Sequence, residues 1–262
     1  ALSASDYEVL IPNKIYPETE SISVFGGEDL VPPQFGKVFI SIKPRNGDFV
    51  PNIIKQNIKR DLKRYSVAGI VPEILDLKYL FVETNSKVYY NTNLAPSASF
   101  VSTKVQRDLT AYAESSELNQ YGARFKYSRF LKVIDSSHES VTSNITTVEM
   151  RRDLRLATSE VAEYAIDFGN EFHIKSMNGF NIRSSAFRVL NINTDVYLYD
   201  TPDSTGEKGQ ISLFSLDEGS STPVIQRRNI GVINYKTGRI TLDPINIVSG
   251  KTKDNVDILE IS

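Results

Sequence analysis

Hydrophobic and polar residues alternate over residues 38–42, and this period of two predicts a strand. Pro44 has no backbone N–H to give to a sheet, so the strand is expected to end there. Ahead of the strand, Gly26 and Gly27 are expected to adopt backbone angles closed to other residues, and the Pro-Pro pair at 32–33 to stiffen an extended turn. No side chain here is poised for chemistry. The stretch is therefore predicted to be the framework around which the chain is organised.

Two later stretches have matching helical faces. Hydrophobic residues recur every three or four positions after Pro51, and the same pattern returns 47 residues later. The two sets are Ile54, Ile58, Leu62 and Tyr65, and Val101, Val105, Leu109 and Tyr112. Each helix is predicted to cover one side of a common sheet with its apolar face.

The other elements of this part complete a recognisable order. They are a short capped helix over residues 3–10, strands over 21–25 and 74–82, a turn at 84–86 with a hairpin mate at 87–90, a helix over 127–134 and an alternating stretch over 140–151. Strand, helix, strand, strand, helix, strand is the ferredoxin-like order. We therefore predict an α+β fold with a ferredoxin-like split βαβ domain over residues 1–155, whose core runs from about Tyr16 to Asp153.

The rest of the chain, residues 156–262, is predicted to be a smaller, mostly-β domain. Its clearest signal is the hairpin over residues 231–242, where Gly238 stands in the turn at a position that favours a positive φ. A last strand is predicted over residues 255–261. Other short alternating runs lie at residues 164–168, 187–190, 195–199 and 210–216.

Composition limits the classes of function. Of the 262 residues, 40% are hydrophobic and 24% charged, which is typical of a globular protein. A formal net charge of -2 argues against nucleic acid or an anionic membrane as the partner. The absence of cysteine excludes disulfides, thiol catalysis and thiolate metal sites. No apolar run approaches the ~20 residues of a membrane helix. Because the chain begins with Ala1 and has no leader, we expect a fragment of a longer protein or a processed product.

The two histidines are candidates for a catalytic or a metal-binding group. His138 stands beside Ser137 in a polar stretch, yet no glycine turn that would form an oxyanion hole accompanies it. A solvated loop position is therefore favoured over a catalytic base. His173 lies at strand spacing and has no second histidine close by in sequence, so a position on a sheet surface is favoured over a metal ligand.

Glycines and acids within the organising stretch are candidates for a cation-binding or phosphate-binding site. Glu28 and Asp29 lack the further ligands of a calcium loop, so hydrogen bonds to backbone donors of the turn are favoured. Gly26, Gly27 and Gly36 are not followed by the lysine and hydroxyl residue of a phosphate-binding loop. We assign no catalytic, cofactor-binding or metal-binding residue, and we expect no cofactor and no small-molecule substrate.

Basic and aromatic residues are the remaining candidates for contacts. The cluster Lys59, Arg60, Lys63 and Arg64 is interpreted as a solvated helix face. The Arg-rich segments at 151–155 and 227–228 are candidates for docking onto acidic neighbours. Thirteen Tyr and thirteen Phe with no Trp suit extended contact surfaces and β cores equally well.

The order of several short motifs resembles a known family. Residues 3–8 read Ser-Ala-Ser-Asp-Tyr-Glu, and Tyr16-Pro17 follows. Residues 23–28 read Ser-Val-Phe-Gly-Gly-Glu, and after the Pro-Pro pair residues 36–44 read Gly-Lys-Val-Phe-Ile-Ser-Ile-Lys-Pro. In this order and spacing the chain resembles the baseplate J-like wedge proteins of contractile-tailed bacteriophages. It is most similar to the C-terminal portion of the wedge subunit of T-even-type phages.

The resemblance implies a structural role in the virion and no enzymatic activity. Such subunits self-associate as homodimers and contact other wedge proteins, and they link neighbouring wedges into a ring around the tail hub. The ring rearranges when the sheath contracts, and it is assembled in the host cytoplasm. The alternative from another class is a carbohydrate- or receptor-binding module in the β-rich half. Its candidate stacking faces are Tyr197, Tyr199, Phe214 and Tyr235.

Overall fold

The chain forms two compact units in a computed structural model, which describes residues 3–29, 33–47, 50–65, 69–158, 160–217, 219–253 and 256–262. The first unit consists of residues 1–77 and 86–146, and the second of residues 78–85 and 147–262. The described residues form both helices and strands, with strands predominating, in agreement with the predicted α+β class. The division at residue 155 stays a prediction.

The described residues form four α-helices and thirteen strands. The helices are α1 (Ala4–Leu10), α2 (Asn52–Leu62), α3 (Ala98–Glu114) and α4 (Tyr127–Asp135), with a π-helical turn at Ile11–Ile15 and a 3-10 turn at Gly27–Asp29. The strands are β1 (Thr19–Gly26), β2 (Lys37–Pro44), β3 (Val71–Leu75), β4 (Leu80–Tyr90), β5 (Val141–Arg155), β6 (Val161–Asp167), β7 (Arg188–Val189), β8 (Tyr197–Pro202), β9 (Lys208–Leu216), β10 (Pro223–Asn234), β11 (Arg239–Ser249), β12 (Lys251–Lys253) and β13 (Val256–Ile261).

The first part of unit one is built on a three-stranded sheet in the order β1-β2-β3. β1 and β2 pair antiparallel, whereas β2 and β3 pair parallel, so α2 lies in the crossover that joins them. Ile58 and Leu62 of α2 are 2% and 0% exposed and share a core with Ile40 of β2. The predicted apolar face of α2 is thereby confirmed, except that Tyr65 lies beyond the helix end and is exposed.

The short helix α1 begins at the predicted cap. Ser3 Oγ accepts a hydrogen bond from the backbone N–H of Asp6, whose carboxylate accepts one from the backbone N–H of Ser3. The chain continues directly from α1 through Pro12 in the π-helical turn at Ile11–Ile15. Tyr7 is fully buried and joins α1 to the core beneath the sheet.

A separate core in unit one lies between α3 and α4. Val101, Val105 and Tyr112 of α3 are buried there with Phe130 and Ile134 of α4. The predicted face of α3 is confirmed. Its partners, however, are α4 and side chains of β4 and β5, and not the sheet that α2 covers.

The ferredoxin-like arrangement is not confirmed, because the strands expected in one sheet lie in two. β4 and β5 belong to a four-stranded sheet in the order β12-β13-β5-β4, apart from β1, β2 and β3. The predicted hairpin within this region is wrong, since β4 continues through residues 84–86. Ser86 Oγ lies 2.8 Å from Thr146 Oγ1 of β5. The polar residues 84–86 therefore belong to a strand that neighbours β5, and they do not form a turn.

Unit two is dominated by an antiparallel sheet in the order β6-β11-β10-β9-β8, with β7 paired to β11. The predicted β10–β11 hairpin is confirmed, and Gly238 in its turn has a φ of 65°. A Cβ on Gly238 would lie 1.9 Å from the carbonyl oxygen of Asn170, so only glycine fits the space. The last strand is confirmed from Val256 onward, whereas Asn255 lies outside the described residues.

Candidate interaction groove

The loop around His138 uses its histidine and serine for packing. The Nδ1 atom of His138 lies 2.9 Å from Ser140 Oγ and accepts a hydrogen bond from the backbone N–H of Ser140. Ser140 is fully buried, and the imidazole meets the ring of Phe100 edge to face at 5.3 Å. Ser137, the serine beside His138 in sequence, donates its hydroxyl to the backbone carbonyl of Ile134. His138 is half-buried, so it packs within the loop instead of facing solvent as expected.

His173 lies in irregular structure between β6 and β7, so its predicted place in a strand is wrong. Its side chain is exposed. Within the described ranges, no group of three or more His, Asp or Glu side chains is placed to hold a metal ion.

The glycine pair ahead of β2 allows the backbone at Gly27 to pass close to the backbone at Gln34. Neither Gly26 nor Gly27 has a positive φ, so the expectation of unusual backbone angles is wrong. A Cβ on Gly27 would lie 1.9 Å from the carbonyl oxygen of Gln34. The backbone N–H of Gln34 also donates a 2.7 Å hydrogen bond to the carbonyl oxygen of Gly27. Neither Glu28 nor Asp29 accepts a hydrogen bond from any described residue. The first proline of the Pro-Pro pair lies outside the described residues.

Arg151 is engaged inside its own unit. Its guanidinium lies 2.5 Å from Glu260, 2.8 Å from Glu83 and 3.2 Å from Asp153. It also stacks over the ring of Phe81 at 4.5 Å. The Arg151 side chain is 18% exposed. The acidic groups that it was expected to bind on a neighbouring protein are supplied by its own chain.

The other basic segments remain on the surface. Lys59 of α2 lies 3.9 Å from Glu73, as expected of a solvated helix face. Arg227 and Arg228 of β10 are both exposed, and neither forms an ion pair with any residue that the structure describes. These two arginines therefore stay available for an external partner.

Two of the four rings proposed for carbohydrate stacking are buried. Tyr199 is 4% and Tyr235 1% exposed. Tyr197 and Phe214 stack on each other at 5.4 Å and are partly exposed. Phe180, which sequence reasoning missed, is 49% exposed and stacks on Tyr199 at 4.8 Å. The predicted set therefore packs mostly on itself, which weakens the carbohydrate-binding interpretation.

A buried carboxylate organises this region. Asp200 is fully buried and accepts hydrogen bonds from the backbone N–H groups of Asn181 and Ile182, from the Asn181 side-chain amide and from the hydroxyl of Tyr235. Burial and this hydrogen bond to Asp200 raise the pKa of Tyr235 far above its usual range. The loop at 176–182 is thereby fixed to β8 and to the β10–β11 turn.

An open groove of about 650 Å³ crosses the outward face of the large sheet. One cross-strand row, made of Thr201, Gln210, Val232 and Thr241, runs through β8, β9, β10 and β11. These side chains point away from the core because their strand neighbours Ile211, Ile233, Ile240 and Leu242 are buried. The lining residues within the described part of the chain include no aromatic ring.

A β-bulge in β10 brings Arg228 to this groove. The register moves from Arg227 opposite Leu213 to Gly231 opposite Ile211, so three residues of β10 stand opposite one residue of β9. Asn229 in the bulge has a φ of 54° and donates its N–H to Ser212 Oγ at 3.2 Å. A non-glycine residue held in this conformation is strained and persists where the surrounding structure fixes it.

The groove has an excess of positive charge. Its lining contains three cations, Lys208, Arg228 and Arg239, and one acid, Asp203. None of the three cations forms an ion pair with another described residue. Hydrogen bonds from Thr205 lower the pKa of Asp203, so this acid is ionised at neutral pH. Sequence reasoning pointed only to Arg228, because the lining is assembled from four strands, which contribute two to five residues each, and from the turns between them.

Comparison with known proteins places the first part of the chain in a family. Residues 3–75 match the family described as baseplate structural protein gp6, C-terminal domain I, and residues 78–153 match C-terminal domain III of the same protein. The chain is also 27% identical over 205 residues to baseplate wedge protein gp6 of Enterobacteria phage T4. This alignment covers 76% of the chain and 30% of the T4 protein. No helix in the described part of the chain has the length and apolar character of a membrane span.

These matches define the class of protein first: a non-enzymatic structural component of the phage tail baseplate. Within that class, residues 3–75 and 78–153 match two C-terminal domains of baseplate structural protein gp6, so this part of the chain corresponds to the C-terminal portion of that protein. The resemblance seen in the motifs of the first 44 residues is thereby confirmed, as is the expected location in the tail baseplate. The groove lies in residues that follow the two family matches.

Proposed function

We propose that the chain associates with copies of itself and with other baseplate proteins, and that it links neighbouring wedges into a ring around the tail hub. The ring rearranges when the sheath contracts. The observation that carries the proposal is the pair of consecutive gp6 family matches over residues 3–75 and 78–153. The chain spans about 30% of the length of the T4 relative, so the proposal concerns the part that this portion plays in the ring.

Exposed apolar side chains at one end of the first sheet support a contact between copies. Phe35, just ahead of β2, is 80% exposed, and Val71 at the start of β3 is 55% exposed. The two are neighbours because the backbone N–H of Val71 donates to the carbonyl of Gly36 at 2.9 Å. β3 is also an edge strand of its sheet. An apolar pair beside an open strand edge is stabilised when a partner covers it.

Sedimentation velocity at micromolar concentration tests self-association. A dimer of this chain is expected, since a specific interface buries on the order of 1,200–2,000 Å² in total. A strictly monomeric chain at high concentration would contradict the self-association and leave the family membership intact. Cross-linking in assembled tails tests the ring separately: neighbouring wedges are expected to be joined through this chain.

A further inference from the structure

We propose that the groove across β8–β11 binds an extended, acidic segment of a partner polypeptide. The positive charge of the groove lining is the first observation that supports this proposal. Lys208 and Arg239 flank Asn234 in one cross-strand row, and Arg228 stands beyond it at the bulge. All three cations line the groove and none forms an ion pair with a described residue, so an anionic occupant neutralises them.

The dimensions of the groove fit an extended chain. Neighbouring strands lie about 4.8 Å apart, so the row from Thr201 to Thr241 is about 14 Å long, which four or five extended residues at about 3.3 Å each would span. Lys208 and Arg239 are separated by two strand spacings, about 10 Å. Alternate residues of an extended segment face the same side. Two acids separated by one residue therefore reach both cations through these long, flexible side chains.

The neutral lining favours a polypeptide over other anions. Thr201, Gln210 and Thr241 present hydroxyl and amide groups that match peptide N–H and C=O groups, and Val232 offers an apolar contact at 49% exposure. Proteins that bind single-stranded nucleic acid combine a positively charged groove with aromatic rings on which the bases stack. The described lining offers no ring for such stacking.

The bulge shows that the cationic rim is a built feature. Ser212 is 3% exposed, and its hydroxyl holds the N–H of Asn229, which fixes Arg228 at the rim. Bulges re-aim side chains and are enriched beside functional sites. Without the bulge, three residues of β10 would pair with three residues of β9, and Arg228 would not lie at this position. The proposal is independent of self-association, which was assigned to the Phe35–Val71 surface of the other unit.

The test uses the full chain and a fluorescent, end-capped octapeptide of alternating Asp and Ser. The matched probe replaces every Asp by Asn. Anisotropy titration is expected to show binding of the Asp peptide that weakens with added salt, and little binding of the Asn peptide. The double variant Lys208→Gln/Arg239→Gln is expected to bind the Asp peptide about tenfold more weakly. The control Arg183→Gln removes an exposed arginine outside the groove and is expected to bind like the unchanged chain.

Several results would overturn the proposal. They are no binding of the Asp peptide up to millimolar concentration, equal binding of the Asn peptide, or equal binding by the double variant. An oligothymidylate or a sulfated oligosaccharide that binds the groove more tightly than the Asp peptide would overturn the choice of a polypeptide. Thermal unfolding of the variants separates loss of binding from loss of fold. A monomeric chain that still binds the peptide would contradict only the proposed self-association.

Discussion

The hydroxyl of Tyr235 donates a 2.5 Å hydrogen bond to the carboxylate of Asp200, and both residues are almost completely buried. Tyr235 opens the turn between β10 and β11, and Asp200 lies in β8 at the other side of the large sheet. The bond therefore joins the turn at one end of the groove to the strand that forms its far wall. Asp200 also accepts hydrogen bonds from the backbone N–H groups of Asn181 and Ile182. One carboxylate therefore holds together β8, the loop at 176–182 and the β10–β11 turn.

Tyr235→Phe is expected to lower the free energy of unfolding by about 2 kcal/mol, because a hydrogen bond to a buried charged acceptor is lost. Urea unfolding followed by circular dichroism measures the change. Tyr197→Phe serves as the control, since its hydroxyl has no hydrogen-bond partner among the described residues and its ring is partly exposed. The control is expected to change stability by less than about 0.5 kcal/mol. Equal effects of the two substitutions would refute a special role for the buried bond.

The same residue predicts a pH dependence at the alkaline end. The pKa of Tyr235 is raised in the folded chain, so the folded state keeps its phenolic proton where the unfolded state has lost it. Stability from this group is complete below about pH 10 and falls as the pH rises beyond it, by at most about 1.4 kcal/mol per pH unit. Urea unfolding between neutral and strongly alkaline pH is expected to show a smaller decline for Tyr235→Phe. Parallel declines would contradict the assignment.

The elements that sequence patterns predicted well are those whose burial is decided locally. The faces of α2 and α3 follow from residues three and four positions apart, and the β10–β11 hairpin follows from a turn with glycine at a positive φ. These patterns depend on neighbours within one element, so they are readable without knowing the fold.

The choice of partners could not be read in this way. α3 was expected on the sheet that α2 covers, but its apolar face shares a core with α4 and with Val88 and Tyr90 of β4, because such a face fits a helix or another sheet equally well. The polar residues at 84–86 suggested a turn, but they lie on an exposed part of a strand where polarity is equally suitable. The groove and the Asp200 network join residues distant in sequence, and neither leaves a local motif.

Gly27→Ala is expected to destabilise the chain by about 2 kcal/mol or more, because its new Cβ would lie 1.9 Å from the carbonyl oxygen of Gln34, a backbone atom that cannot move alone. Gly219→Ala is the matched control. Its Cβ would meet nothing closer than 3.8 Å, and its backbone angles do not require glycine. Differential scanning calorimetry of the two variants checks the difference. A control that loses as much stability as Gly27→Ala would remove the close approach as the explanation.

Arg151→Gln is expected to lower the free energy of unfolding by about 2 kcal/mol, because the largely buried Glu260 and Asp153 lose their nearest cation and keep only Lys251 at 2.8 Å and Lys253 at 3.5 Å. The control is Arg188→Gln. Arg188 lies 2.8 Å from Asp195, but both side chains are more than half exposed, and such surface pairs contribute less than about 1 kcal/mol. Urea unfolding in low salt compares the two. Similar small effects for both would show that the Arg151 cluster is as well screened by water as an exposed pair.

Phe35→Ser is expected to weaken self-association about tenfold or more without loss of fold, since an 80% exposed ring contributes little to the core and much to an interface that covers it. Leu94→Ser is the control in the same unit, because Leu94 is a 49% exposed apolar residue away from the Phe35–Val71 pair. Sedimentation velocity over a concentration series gives the dissociation constants, and thermal unfolding confirms that both variants are folded. If Leu94→Ser weakens the dimer and Phe35→Ser does not, the contact between copies lies elsewhere on the unit.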